Sequence, residues 1–229
     1  ANSGGTALMA AAANGHEKMV ELALRHGAEV DQKNNRNGGT ALMDAAYRGH
    51  ERIVDTLIRH GAEINLQANK DDTALMAAVY QGREGVVDML IRHGAEINLQ
   101  ANDGFTALML AAANGHPAVV LRLLRAGADM TLRSEKGKTA LRWAKEKGHA
   151  ECVRVIEEHA AAAAAAEKAA REAAWAAGAE AREAERAAAE ATAARHAEAL
   201  LAEEEAEKEE RSNKKGKKKK KKSGGGEAG

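Results

Sequence analysis

The sequence predicts an all-α repeat solenoid of paired helices, followed by a long single helix and a disordered basic tail. Three observations carry this. The motif Thr-Ala-Leu recurs at Thr6, Thr40, Thr73, Thr106 and Thr139, at spacings of 34, 33, 33 and 33 residues, and a fixed period of that length is the signature of a solenoid. Of the 35 Leu, Ile, Val and Phe residues, 33 fall within residues 1–159, so only that part can bury a core. The formal charge of zero is a cancellation: residues 1–159 carry −1, residues 160–211 carry −6 and residues 212–229 carry +7.

Each element follows from its residues in order. The Thr of every motif stands where an N-cap hydroxyl accepts a free backbone N–H. The Ala-rich stretch behind it, as in Ala74 to Tyr80, is a short first helix that lets its neighbours approach closely. A Gly follows at 15, 49, 82, 115 and 148. Then comes an apolar pattern at i, i+1, i+4, i+5, as in Ile53, Val54, Leu57, Ile58 and Val86, Val87, Leu90, Ile91, which is one face of a second helix. That helix ends at Gly27, Gly61, Gly94 and Gly127, where Gly supplies the left-handed C-cap. Arg25, Arg59, Arg92 and Arg125 sit in its last turn, where a cation favours the dipole.

Five copies of this pattern over residues 1–159 resemble the ankyrin repeat, whose family pattern reads roughly T-P-L-H-x-A-A-x-x-G-H, an apolar helix, then G-A-D-V-N. The resemblance implies helix–turn–helix units joined by β-hairpin loops. Departures are regular: Ala stands for the family's Pro at 7, 41, 74, 107 and 140, and Met for its His at 9, 43, 76 and 109, with the thioether filling the space. Asp71 replaces a loop Gly, which makes the hairpin between the second and third copies the least regular. Ala1 to Thr6 aligns with Ala101 to Thr106, so the chain begins inside a hairpin tip. Terminal repeats need a polar outer face. The first copy lacks one, and the expectation is that repeats are missing upstream and that Leu8, Ala12, Val20 and Leu24 form an exposed apolar face. The last copy carries Arg142, Lys145, Glu146, Lys147, Arg154, Glu157 and Glu158, as a C-terminal cap should.

The appendage is simpler. Residues 160–202 contain 25 Ala in 43 positions, interspersed with Glu and Arg, all strong helix formers. Helix is expected over 160–211, about 78 Å long at 1.5 Å per residue, with a weak point at Gly178. Apolar residues larger than Ala are only Trp175, Leu200 and Leu201; they form no heptad seam, so a solvated helix is expected rather than a strong coiled coil. Lys214, Lys215 and the run Lys217, Lys218, Lys219, Lys220, Lys221, Lys222 form a basic block before Ser223 and three Gly. It reads as a nuclear import signal bound by an import receptor, as a patch for polyanions or as a solubilising tail.

Several functions are excluded. No apolar run approaches the roughly 20 residues of a membrane span. The single Cys152 allows no internal disulfide and points to a reducing, intracellular setting, nucleus or cytoplasm. His16, His50, His116 and His149 follow the inter-helix Gly, and His26, His60 and His93 precede the C-cap Gly, so the period accounts for them. His149 and Cys152 lack the second pair a zinc site needs. No phosphate loop is present. The expectation is no catalytic site, no metal and no cofactor.

Recognition remains. The resemblance implies a protein-interaction module or scaffold whose concave face is built by hairpin tips and first helices. Mapped onto this chain, the tips supply Lys70, Asp72, Asn102, Asp103 and Phe105, and the first helices supply Tyr47, Arg48, Tyr80 and Gln81. Tyr47, Tyr80 and Phe105 are expected at its centre, with the alternative that the two tyrosines merely pack along their helices. The mixed polar rim suits a protein or an extended peptide better than nucleic acid. The alternative class is a regulatory or targeting segment of a larger enzyme whose catalytic domain lies upstream. The resemblance also implies asparaginyl hydroxylation at Asn65, eight residues after Leu57, and at Asn98, eight after Leu90.

Overall fold

The structure, a computed structural model, describes residues 6–222, with the backbone alone at 212, 213 and 215–222. The chain divides into two compact units, Ala1–Ala163 and Ala164–Gly229. The first contains five helix pairs: α1 (Ala7–Ala13) with α2 (Glu17–Arg25), α3 (Ala41–Arg48) with α4 (Glu51–Arg59), α5 (Ala74–Tyr80) with α6 (Glu84–Arg92), α7 (Ala107–Asn114) with α8 (Pro117–Arg125), and α9 (Ala140–Lys147) with the start of α10 (Ala150–Lys222). First helices pack in one row, α1 on α3, α3 on α5, α5 on α7 and α7 on α9; the second helices form a parallel row behind them.

The caps do what the motif predicts. Thr6, Thr40, Thr73, Thr106 and Thr139 each accept a hydrogen bond at Oγ1 from the N–H three residues on, at 3.2, 3.4, 3.3, 3.3 and 3.4 Å. Beyond the C-cap of α6, Gly94 takes φ +90 and Ala95 N–H donates to the Leu90 carbonyl at 2.9 Å, closing the helix end by the six-to-one bond of a Schellman turn. The methionines of the motif fill the core: Met9, Met43, Met76 and Met109 are all buried.

The loop tips carry no strand among the described residues. Each is a turn closed by a backbone bond, as from Ala68 N–H to the Asp72 carbonyl at 2.9 Å and from Ala101 N–H to the Phe105 carbonyl at 2.9 Å. Neighbouring tips are tied by bonds from Asn69 N–H to Asn37 O, Asn102 N–H to Lys70 O and Glu135 N–H to Asp103 O, at 2.9, 3.0 and 3.0 Å. Among the described residues Asp71 is the one non-Gly residue with positive φ, at +60, where Gly38, Gly104 and Gly137 take +71, +74 and +68. The irregular hairpin thus keeps the turn, with an Asp in a conformation that Gly adopts at least cost.

Two expectations are corrected. Leu8, Ala12 and Val20 are buried, and Leu24 is half-buried, because α1 and α2 close on each other, α1 on α3 and α2 on α4. The large apolar side chains left outside in the first pair are Met19 and Leu22, 53% and 48% exposed. At the position of Met19 the later repeats place Ile53, Val86, Val119 and Cys152, all at most 1% exposed, because a preceding repeat covers them. The second correction concerns the appendage. Helix α10 runs to Lys222 rather than ending at Arg211, since Lys forms helix well and cations suit a helix C-terminus; Lys214 pairs with Glu210 at 3.4 Å. The segment expected to be a disordered tail is helical to Lys222, and its remainder, residues 223–229, lies outside the described residues. Trp175, Leu200 and Leu201 are exposed. No helix among the described residues is long and apolar enough to cross a membrane.

Candidate functional site

Period 33 places Tyr47 and Tyr80 at equivalent ends of α3 and α5. Both are exposed, and they stack on each other with ring centroids 6.3 Å apart and planes inclined by 19°. Arg48 turns its guanidinium over the Tyr47 ring, 5.8 Å from its centroid, within range for a cation–π contact. The backbone beneath is held by the next repeat: Arg83 Nε donates to the Tyr47 carbonyl at 3.3 Å, and the His116 ring to the Tyr80 carbonyl at 3.2 Å. His50 and His149 reach the carbonyls of Ala13 and Ala113 in the same way, at 3.3 and 3.1 Å. These ring nitrogens are structural links between repeats.

The stacked pair forms one wall of a groove of about 830 Å³ between the first-helix row and the tips. Its apolar floor comes from Met43, Met76, Ala77 and Leu110; the tips contribute Lys70, Asp72, Asn102 and Asp103. Six of the nine residues picked from the sequence therefore meet in one cavity. Arg48 and Gln81 do not line it. Phe105 does not project from its tip: it is half-buried against the Trp143 ring, centroids 4.9 Å apart. Trp143 is itself buried, donates from Nε1 to Ser134 Oγ at 3.3 Å and carries Lys138 Nζ 4.7 Å above its ring. The expectation of Phe105 as an outward central aromatic is corrected accordingly; Trp143 occupies the space it would otherwise leave open.

Two acids of the groove were not picked out from the sequence, Asp44 and Glu135. Asp44 lies half-buried on α3 where the other repeats have Ala10, Ala77, Leu110 and Trp143; that break in the period is the signal that could have found it. Burial pushes the Asp44 carboxyl above the usual range, opposed by the Arg48 charge. Asp72 is also raised, by partial desolvation first and then by the neighbouring Asp103 charge, with Lys70 opposing. An acid whose pKa is higher in the folded state binds its proton more tightly there. Ionised Asp44 therefore costs stability above its folded pKa, and the cost vanishes below the unfolded value near 3.8. Asp44→Asn should raise neutral-pH stability by about 0.5 kcal/mol, after allowing for solvent screening, and the gain over wild type should disappear in urea melts at acid pH.

Asn65 and Asn98 lie on the loops behind the second helices. The Asn65 amide donates to the Gly94 carbonyl at 3.3 Å and accepts from Glu96 N–H at 2.9 Å; Asn98 donates to Gly127 O at 3.3 Å and accepts from Asp129 N–H at 2.8 Å. Leu57 and Leu90 are fully buried. Lys214 is exposed, while the side chains of Lys215 and Lys217 to Lys222 lie outside the described residues. Cys152 is buried in the last repeat, and burial pushes its thiol up, the opposite of what a reactive thiolate needs. Among the described residues no group of His, Cys, Asp and Glu could hold a metal ion.

A family model described as ankyrin repeats (3 copies) matches residues 1–68, 60–134 and 108–212. No curated protein matches the chain.

Proposed function

Since the chain belongs to the ankyrin-repeat family, whose repeats are protein–protein interaction modules, we propose that it is a scaffold that binds an extended peptide of a partner protein in the groove beside Tyr47 and Tyr80. The observation that carries this is the exposed, stacked tyrosine pair above an apolar floor with a polar rim, the composition of an interface centre. Nothing in the groove offers a nucleophile–base pair. A partner recovered by capture on the full chain should protect the backbone of residues 41–48, 74–80 and the tips 68–72 and 101–103 from hydrogen exchange. Protection confined to α4 and α6 would place the site on the other row.

The appendage and the loop asparagines support narrower proposals. The Lys block is proposed as a nuclear import signal, on the compactness of its charge. Alanine at Lys217 to Lys220 in a fluorescent fusion should abolish nuclear accumulation, and an unchanged distribution would favour a solubilising tail. Asn65 and Asn98 are proposed as substrates of an asparaginyl hydroxylase that acts when the loop opens, since their amides and Leu57 and Leu90 are engaged in the closed fold. Oxygen added at both positions in the presence of such an enzyme, and enhanced by sub-denaturing urea, is the expected mass-spectrometric result; no addition at either position would remove the assignment.

A further inference from the structure

Charge distinguishes the groove from the rest of the repeat unit. Its lining carries the four carboxylates Asp44, Asp72, Asp103 and Glu135 against the single ammonium of Lys70. Elsewhere on the unit carboxylates meet cations directly: Arg122 bridges Glu84 and Asp88, Lys138 pairs with Glu146, and Arg52 with Glu17. None of the groove's four carboxylates makes such a pair among the described residues. The unit as a whole is nearly neutral, with 19 Lys/Arg and 20 Asp/Glu over residues 1–159, so the negative excess is local to the cavity. Burial raises the carboxyls of Asp44 and Asp72, with a further contribution at Asp72 from the Asp103 charge, while Arg48 and Lys70 oppose the two shifts.

Placement makes this excess directional. Asp103 and Glu135 belong to successive tips, tied by the bond from Glu135 N–H to the Asp103 carbonyl, and Asp72 lies on the preceding tip, which accepts from Asn102 N–H through Lys70 O. Acids therefore run along one rim while the tyrosine pair and the Met–Leu floor run beside it. Tyr47 already holds a guanidinium over one face, which shows that its ring accepts a cation in this setting.

We propose that the occupant of the groove is an extended basic segment of a partner protein, with apolar side chains on the Met43–Met76–Leu110 floor and Lys or Arg side chains between the Tyr47–Tyr80 pair and the carboxylates of Asp72, Asp103 and Glu135. This rests on the peptide-groove reading above and gives the peptide its chemistry. The charges act mainly on selection and association rate, and their effect falls with salt. An acidic peptide or a nucleic acid is repelled by the same rim.

The test uses the full chain and two fluorescent peptide probes, one alternating Arg with Leu and one with Glu in place of every Arg, read by anisotropy. Because Glu203 to Glu210 on α10 could attract a basic probe nonspecifically, the groove triple Asp72→Asn, Asp103→Asn, Glu135→Gln is compared with a helix triple, Glu203→Gln, Glu204→Gln, Glu205→Gln. The basic probe should bind, lose about tenfold in the groove triple, lose more in Tyr80→Ala, and keep its affinity in the helix triple. Equal binding of the Glu probe, or loss in the helix triple alone, would overturn the proposal. If charge selectivity fails while Tyr80→Ala still abolishes capture of a partner, the peptide groove stands and only its charge assignment falls. If Tyr80→Ala changes neither probe binding nor capture, both readings fall. Sedimentation covers the remaining occupant: a dimer lost both in the groove triple and on replacing Lys217 to Lys220 by Ala would assign the groove to the Lys block of a second copy and overturn the partner proposal.

Discussion

Tyr80→Ala is expected to lower affinity for a groove partner about thirtyfold, equivalent to roughly 2 kcal/mol, while leaving folding within about 1 kcal/mol of wild type. The asymmetry follows from where the ring stands. Tyr80 is 50% exposed and Tyr47 38% exposed, so neither contributes much to the core; what they cover is each other, at 6.3 Å. Their mutual contact orients both rings before a partner arrives, and a preordered aromatic wall loses little rotamer entropy on binding. Tyr47→Ala should therefore cost nearly as much as Tyr80→Ala, and the double variant little more than either, because each single change already disorders the wall. Affinity titrations with parallel thermal melts check this. Strictly additive losses would mean that the two rings bind independently, and retained affinity with an intact melt would place the partner elsewhere.

Gly82→Ala should have the largest effect on stability, about 3 kcal/mol. Gly82 has φ +65, and a Cβ there would lie 2.8 Å from Nδ1 and 2.9 Å from Cε1 of His116. The left-handed backbone alone costs a non-Gly residue about 1–2 kcal/mol, and the overlap adds about 1–2 more because the ring cannot retreat without losing its bond to the Tyr80 carbonyl at 3.2 Å. The cycle with His116→Ala separates the parts. With the ring gone, Gly82→Ala should retain only the backbone cost, so the double variant should be more stable than the sum of the singles predicts. Equal losses with and without the ring, in urea melts, would show that the contact between repeats contributes nothing at this position.

The fold was legible because the repeat states the same local rules five times, a Thr cap, a first helix, a Gly and an apolar second helix, and closes that second helix with a Gly in the first four copies. Any one of these is weak, and their recurrence at a fixed spacing is not. The groove was partly legible, since mapping the tips and helix ends brought Tyr47, Tyr80, Lys70, Asp72, Asn102 and Asp103 onto one cavity. Phe105 shows where position in a motif stops being informative. Its exposure is decided by Trp143, 38 residues away in the sequence and stacked on it at 4.9 Å, and the motif does not say which way a tip residue folds when an aromatic stands in the next repeat. Asp44 was missed for the converse reason. A polar residue on a short first helix looks like ordinary solvated surface until the groove around it is seen to desolvate it. The helix boundary at Arg211 failed because charge clustering was read as disorder, whereas the local preference of Lys for helix carries the backbone on to Lys222.

The links from His50, Arg83, His116 and His149 back to the preceding repeat bear on how such a chain can be cut and rejoined. Counted from Thr to Thr, a module appears self-contained, yet the glycine that ends its first helix is shaped to the side chain that opens the second helix of the following module. Gly49 faces Arg83, whereas Gly15, Gly82 and Gly115 face imidazoles, so the junctions are not all interchangeable. A chimaera joined at the Thr boundary can therefore pair a glycine with a foreign side chain even when both parents obey the repeat. Moving the joint by half a period makes this worse: a cut between Gly49 and His50 divides two such pairs, Gly15 with His50 and Gly49 with Arg83, whereas a cut at a Thr divides one. The one pair that crosses a Thr joint is where compatibility has to be designed.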